Sequence, residues 1–142
     1  MTVEELLARE GIRHTMARYS VAGDEFDTAT YISCFTDDAV LEFAHFPGIG
    51  DLRLEGRQAI LDFVSGWFDA VKSGEAPVPG GFMRHHLTTC RIDFTGADRA
   101  TAKTYCMEFN RNGAEHCGLY SDEFRCLDGQ WLIHRRKWLP DN

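Results

Sequence analysis

The feature that most constrains the fold is a succession of four strand-like segments in the C-terminal part of the chain. The segments cover Met83 to Phe94, Ala100 to Arg111, Glu115 to Cys126 and Gln130 to Trp138. They are connected by short stretches rich in turn residues, TGADR, NRNG and LDG. Because such short connections join antiparallel neighbours, the pattern predicts a four-stranded antiparallel meander.

The N-terminal part has a helical pattern instead. Apolar residues at helical spacing predict a first helix over residues 2–21, with a capping box between Thr2 and Glu5 and an end at Gly23. The segments that follow are a helix at 27–34, a short strand at 39–43, a Gly- and Pro-containing loop at 44–56 and a helix at 57–71.

Helices that precede a long antiparallel sheet are typical of an α+β fold. We expect a single domain over residues 1–142, in which a curved antiparallel sheet packs on three N-terminal helices to form a cone. A sheet that curls around helices leaves a pocket at its wide mouth, and that pocket is the natural place for a ligand.

Charge and hydropathy exclude several classes of function. The net charge is −7 over 142 residues, and an acidic surface repels phosphate backbones and anionic lipid, so no nucleic-acid or membrane partner is expected. No apolar segment reaches the roughly 18 residues of a membrane span. Acidic residues near the N-terminus argue against a secretory signal, so a cytoplasmic location is expected.

The sequence contains no recognisable motif for binding a cofactor or a metal, and neither is expected. It contains no H-E-x-x-H, no G-x-G-x-x-G, no P-loop and no G-x-S-x-G. The five cysteines are odd in number and form no C-x-x-C. They are therefore interpreted as reduced, mostly buried thiols rather than as a disulfide or zinc framework.

Two residues are candidates for acid–base chemistry. His85 and His86 are neighbours at the start of a strand, so only one of them points inward, and the more apolar face belongs to His85. Asp24 lies just past the first helix, where the helix dipole disfavours a carboxylate that lacks a partner. From the residues alone, Asp24 as an ordinary turn acid and His85 as a satisfied core histidine remain the alternatives to a pair.

A basic segment, His134 to Lys137, lies in the last strand. One interpretation is a solvated edge with a single inward residue paired to an acid. The other places Arg136 at the rim of the pocket, where it binds an anionic substrate group or a leaving group.

The chain resembles the SnoaL-like proteins of the nuclear transport factor 2-like superfamily, nearest the scytalone dehydratase and hexachlorocyclohexane dehydrochlorinase branch. The segments that carry the resemblance are ARYSVAGDEFD, ISCFTDDAVLEF, EGRQAILDFV, MRHHLTTCRIDF, ATAKTY and GLYSDEFRCLDGQWLIHRR. The resemblance implies a curved sheet with three helices. It also implies that Asp24 orients His85, that His85 removes a proton, and that Arg136 binds substrate.

The same resemblance shows where this chain departs from its relatives. Tyr19 replaces the pocket lysine of the dehydrochlorinase, and Phe43 and Thr104 replace a tyrosine and a histidine of the dehydratase. These differences indicate a related site that acts on another substrate. The further residues expected to bind substrate are Tyr19, Phe43, Trp67, Tyr105 and Phe109, with Phe46, Phe82 and Met83 as additional apolar lining.

Two functional hypotheses follow. The first is a lyase or isomerase that needs no cofactor and uses Asp24 and His85 to abstract a proton from a small, mostly apolar cyclic substrate. The alternative is a non-catalytic ligand-binding or assembly module in which Asp24 and His85 form a structural ion pair. The resemblance also implies a homodimer or homotrimer that assembles through the sheet face.

Overall fold

The computed structural model describes residues 1–46 and 50–141, without the side chain of Phe46. Three α-helices and six strands are found in this part of the chain. The helices are α1 Val3–Asp24, α2 Thr28–Ser33 and α3 Arg57–Ser73. The strands are β1 Phe35–Phe46, β2 Gly50–Glu55, β3 Arg84–Gly96, β4 Arg99–Asn110, β5 Gly113–Leu127 and β6 Gln130–Pro140.

The strands form one curved sheet in the order β2-β1-β6-β5-β4-β3. The four C-terminal strands form the predicted antiparallel meander. The α+β class and the three helices packed on a curved sheet are confirmed. The expectation of a wholly antiparallel sheet is wrong, because β1 pairs with β6 in parallel.

The second correction concerns the predicted loop at residues 44–56. The glycines and Pro47 predicted a loop, but Gly50–Glu55 forms β2 and pairs with β1 as an antiparallel hairpin. Its side chains alternate between exposed and partly buried from Asp51 to Glu55, so a strand signal was present in the sequence, but the neighbouring glycines and Pro47 outweighed it. Residues 47–49 of the predicted loop lie outside the described residues.

The first helix begins with the expected capping box. Thr2 Oγ1 accepts a hydrogen bond from the Glu5 backbone N–H at 3.1 Å, and Glu5 Oε2 accepts one from the Thr2 backbone N–H at 2.9 Å. The helix continues through Gly23 and ends at Asp24, so Asp24 is its last residue rather than the residue beyond it. Phe26, at φ 56°, then reverses the chain and packs its ring edge-on against Phe68 of α3.

The core fills the space between the helices and the face of the sheet that they cover, here called the inner face. Its fully buried members from the helices and from the sheet include Ile12, Met16, Ile60, Phe68, Phe35, Leu41, Phe124 and Ile133. The opposite, outer face carries exposed charged side chains such as Arg91 and Glu123. Burial of the inner face holds the end of α1 against the start of β3, and this position defines the candidate site.

Candidate active site

The structure brings Asp24 and His85 into direct contact. Asp24 Oδ1 accepts a hydrogen bond from His85 Nδ1 at 2.5 Å, and its Oδ2 accepts one from the His85 backbone N–H at 2.9 Å. The two side chains are 8% and 19% exposed, respectively. One carboxylate thus fixes both the backbone and the ring of His85, and an Nδ1–H donor leaves the Nε2 atom of a neutral ring with its lone pair free to act as a base.

His85 points inward and His86 outward, as the apolar character of the two strand faces predicts. His85 lines the cavity described below, whereas His86 is exposed and stacks edge-on against Phe109 with ring centroids 5.1 Å apart. Two adjacent histidines on one strand therefore occupy different environments, which makes His86 a natural control for His85.

A second carboxylate reaches the other side of the His85 ring. Glu108 lies opposite His85 in the β3–β4 register, and its Oε2 is 3.5 Å from His85 Nε2. Its side chain is 18% exposed and lines the same cavity. The sequence analysis missed Glu108, although a signal existed: it has the same strand parity as the inward residues Ala102, Thr104 and Cys106.

These groups open into a mostly apolar cavity of about 120 Å³ between the helices and the inner face. The lining residues are Tyr19, Ser20, Gly23, Tyr31, Leu41, Phe43, Phe63, Val64, Trp67, Phe68, Met83, His85, Glu108 and Tyr120. An apolar cavity of roughly 150 Å³ accommodates benzene, so this slightly smaller space holds a single small ring when part of that ring extends toward the mouth.

Tyr19, Phe43, Trp67 and Met83 thus occupy the cavity wall where the sequence analysis expected them. Two other assignments need correction. Tyr105 is 57% exposed, and Phe109 stacks on the outward His86. Both have the strand parity opposite to that of Glu108, so they lie on the outer face and do not line the cavity.

Phe82 and Phe46 were also expected to contribute to the apolar lining of the cavity. Phe82 is 37% exposed, contacts the guanidinium group of Arg84 and is not part of the cavity wall. The side chain of Phe46 lies outside the described residues.

Arg136 is not at the cavity rim, and the expectation that it binds substrate there is wrong. It is fully buried, and its Nε and Nη2 donate to Asp122 Oδ1 at 2.8 Å and Oδ2 at 2.7 Å. The ring centroids of Tyr19 and Tyr120 lie 4.3 and 4.1 Å from its guanidinium carbon. Both rings line the cavity, and they separate the guanidinium group from it. The alternative interpretation, an inward arginine paired to an acid, describes its contacts.

Arg136 keeps its positive charge although it is buried. Burial by itself lowers the pKa of the guanidinium, but the adjacent Asp122 carboxylate outweighs burial through its charge and its hydrogen bonds, so that the pKa is raised. Arg136 and Asp122 therefore compensate one another beneath the cavity floor, and neither is available to bind a ligand.

Hydroxyl groups supply most of the remaining polarity of the wall. Tyr31 Oη donates a hydrogen bond to Tyr19 Oη at 2.8 Å, and burial raises the pKa of both phenols, so they remain neutral donors and acceptors. Ser20 lies one helical turn before Asp24. Its buried Oγ has no hydrogen-bond partner among the described residues, so it is a group that a bound ligand would satisfy.

Other chemistries find little support in the part of the chain that the structure describes. No three His, Cys, Asp or Glu side chains there cluster closely enough to hold a metal ion. All five cysteines are free, and burial raises the pKa of Cys106 to about 12, which keeps it an unreactive thiol. No helix in residues 1–46 and 50–141 has the length and apolar character needed to cross a membrane.

Comparison with solved structures gives consistent neighbours of the same fold. A provisionally assigned scytalone dehydratase from Novosphingobium aromaticivorans has a TM-score of 0.78 at 22% identity, over 100% of this chain and 89% of that one. A hexachlorocyclohexane dehydrochlorinase, LinA type 2, has a TM-score of 0.72 at 19% identity, over 99% and 89%. An NTF2-like protein of unknown function from Pseudomonas putida KT2440 has a TM-score of 0.71 at 21% identity, over 92% and 84%.

At these identities the solved structures establish the fold and leave the activity open. No curated protein matches the chain. The SnoaL-like domain matches residues 4–137, nearly the whole sequence. The protein therefore belongs to the SnoaL-like family, with the nuclear transport factor 2-like fold.

Proposed function

We propose that this protein is a lyase or isomerase that abstracts a proton from a small, neutral, mostly apolar cyclic substrate without a cofactor. The observation that carries the proposal is the imidazole of His85, held by Asp24 at Nδ1 and lining the cavity. A neutral imidazole whose tautomer is fixed by a carboxylate is a suitable general base near neutral pH. Asp24 also stabilises the imidazolium ion that forms when the proton is taken.

The electrostatics of the cavity favour a neutral substrate. The Asp24 carboxylate holds one side of the His85 ring, and the carboxyl group of Glu108 lies at the other side. Arg136, the buried cation of the described part of the chain, is already paired with Asp122 behind two tyrosine rings. An anionic group would meet the charge of Asp24 without a free counter-ion, whereas a ring with a carbonyl or hydroxyl group would meet aromatic side chains and the unpaired Ser20 Oγ.

The names of two similar structures support the choice of reaction. One is assigned as a dehydratase and the other is a dehydrochlorinase, and both names denote an elimination, of water in the first case and of hydrogen chloride in the second. The contact between Asp24 and His85 is the arrangement that such a step requires. The range of possible substrates is restricted only by the apolar wall and by the volume of the cavity.

Proton abstraction is measurable before the natural substrate is known. We expect the native protein to catalyse exchange of the α-protons of cyclohexanone in deuterium oxide, followed by proton NMR. His85→Gln should lower the exchange rate by about 10²–10⁴-fold, the usual contribution of a general base. Asp24→Asn should lower it as well, because the amide no longer stabilises the imidazolium.

His86→Gln is the matched control and should leave exchange unchanged, since His86 is exposed on the outer face. Exchange by the native protein that survives in His85→Gln would contradict the proposal. Binding of a ring compound without exchange, detected by fluorescence of the cavity residue Trp67, would instead favour the non-catalytic binding module.

A further inference from the structure

Glu108 is a titratable residue of the cavity wall that the mechanism above does not use. Asp24 already fixes His85 through two hydrogen bonds, one to the ring and one to the backbone. A second carboxylate is therefore not needed to orient the imidazole. Glu108 nevertheless lines the cavity and places its Oε2 at 3.5 Å from Nε2, the nitrogen that would receive the substrate proton.

The contact between Glu108 and His85 is also looser than that of a tight structural pair. Its 3.5 Å separation exceeds the roughly 2.7–3.2 Å of an ordinary hydrogen bond, whereas Asp24 lies at 2.5 Å from Nδ1. The paired register of β3 and β4 fixes the two residues side by side. Both side chains thus reach the same wall, where one substrate can touch them together.

We propose that Glu108 is a second catalytic residue, the general acid that protonates an oxygen leaving group while His85 removes the proton from the neighbouring carbon. This inference rests on the proposed function and deepens it. It makes the reaction an elimination of water from a ring that carries a hydroxyl group β to a carbonyl. Acid and base reach the substrate from one wall, so the hydrogen and the hydroxyl leave from the same face of the ring.

The proton count of this step closes within the site. His85 Nε2 takes the α-proton, the C–H electron pair becomes the new C=C bond, and the C–O bond breaks. The leaving oxygen takes the proton of the Glu108 carboxyl group and departs as water. The imidazolium of His85 then returns its proton to the Glu108 carboxylate across the 3.5 Å contact, which restores both groups without an outside reactant.

The test separates leaving groups that need a proton from those that do not. β-Hydroxycyclohexanone must lose hydroxide, which requires an acid, while β-acetoxycyclohexanone loses acetate without one. Both probes give cyclohexenone, so one ultraviolet assay reports both reactions. We expect Glu108→Gln to lower kcat/KM for the hydroxy probe by about 10²–10⁴-fold and to lower it far less for the acetoxy probe, so that the ratio of the two values falls.

Three comparison variants sharpen the result. His85→Gln should lower turnover of both probes, because both reactions need the base. Glu108→Asp keeps a carboxyl group and should retain more activity on the hydroxy probe than Glu108→Gln. Glu123→Gln removes an exposed carboxylate from the outer face and should change neither reaction, and circular dichroism confirms that each variant is folded.

The possible failures are distinct. Equal losses on both probes in Glu108→Gln would make Glu108 a positioning residue for His85 and would overturn this inference alone. Undiminished activity on the hydroxy probe would do the same. Native protein that exchanges α-protons but eliminates neither leaving group would also overturn it, while absence of both exchange and elimination would overturn the proposed function as well.

Discussion

At the scale of single residues, the contrast between Arg136 and Glu108 shows how position in the sheet decides a role. Arg136 has the chemistry of an anion-binding residue, but its guanidinium group makes a bidentate contact with Asp122 and is covered by two tyrosine rings, so it cannot bind a ligand. Glu108 resembles an ordinary strand carboxylate in the sequence, yet the register with His85 places it at the wall of the cavity. The environment, rather than the residue type, separates a structural charge from a functional one.

This view of Arg136 predicts the stability of its variants. Asp122→Ala leaves the guanidinium buried without its counter-ion and should lower the free energy of unfolding in urea by about 3–5 kcal/mol. The double variant Asp122→Leu with Arg136→Met replaces both charges with apolar groups and should recover most of that loss.

Asp93→Ala is the control, since its pair with Arg91 is exposed and should contribute less than about 1 kcal/mol. A double variant that is as unstable as Asp122→Ala would show that the charges themselves, and not merely their balance, are required at this point of the fold.

At the scale of elements, two glycines in α3 and β5 have opposite roles. Gly66 lies in the interior of α3, and a Cβ there would meet nothing within 4 Å. A Cβ on Gly118 of β5 would lie 2.5 Å from the Leu139 carbonyl oxygen and 2.6 Å from the ring of Trp138 in β6. Trp138 in turn packs on Tyr120, a cavity residue, so Gly118 permits the strand contact behind the site.

We therefore expect opposite effects from the same substitution. Gly66→Ala should raise the free energy of unfolding by roughly 0.5–1 kcal/mol, because alanine restricts the unfolded chain and favours the helix. Gly118→Ala should lower it by about 1–3 kcal/mol through overpacking between β5 and β6. Urea unfolding of both variants measures the difference, and a stabilised Gly118→Ala would show that the two strands separate at no cost.

At the scale of the whole molecule, the packing of α1 and α2 on the sheet buries phenols and a thiol that would ionise in the unfolded chain. Burial raises the pKa of Tyr31 and Tyr120 well above the ordinary value of 10.0, and raises that of Cys106 from 9.0 to about 12. The native state keeps these protons at a pH where the unfolded state releases them. Unfolding therefore releases protons, and alkaline pH favours it.

The free energy of unfolding should accordingly fall as pH rises above about 9, with a steeper fall above about 10, by up to roughly 1.4 kcal/mol per pH unit for each group. Tyr120→Phe removes one of these groups and should make the fall shallower, whereas Tyr105→Phe removes an exposed hydroxyl and should not. Urea unfolding at several alkaline pH values tests this, and identical slopes in both variants would contradict it.

The sheet also shows the limit of local patterns at this scale. Short turns predicted the antiparallel meander from β3 to β6 because a tight connection fixes the direction of its neighbours. Nothing in a local pattern specifies which strand pairs across a long separation. The parallel pairing of β1 with β6 therefore appeared only in the tertiary structure. The hairpin of β1 with β2 is local, and it was missed because the glycines and Pro47 near the connection indicated a loop.

By itself, the sequence determined the three helices, the four C-terminal strands, the α+β class, the inward direction of His85 and the candidacy of Asp24, since these follow from periodicity, short turns, helix capping and strand parity. Tertiary structure decided that Asp24 contacts His85 and that Glu108 lies beside the same ring. It also decided that Arg136 is buried against Asp122 and that Tyr105 and Phe109 lie on the outer face. The physical reason is that strand register and the burial of charge depend on residues far apart in the chain, which no local pattern brings together.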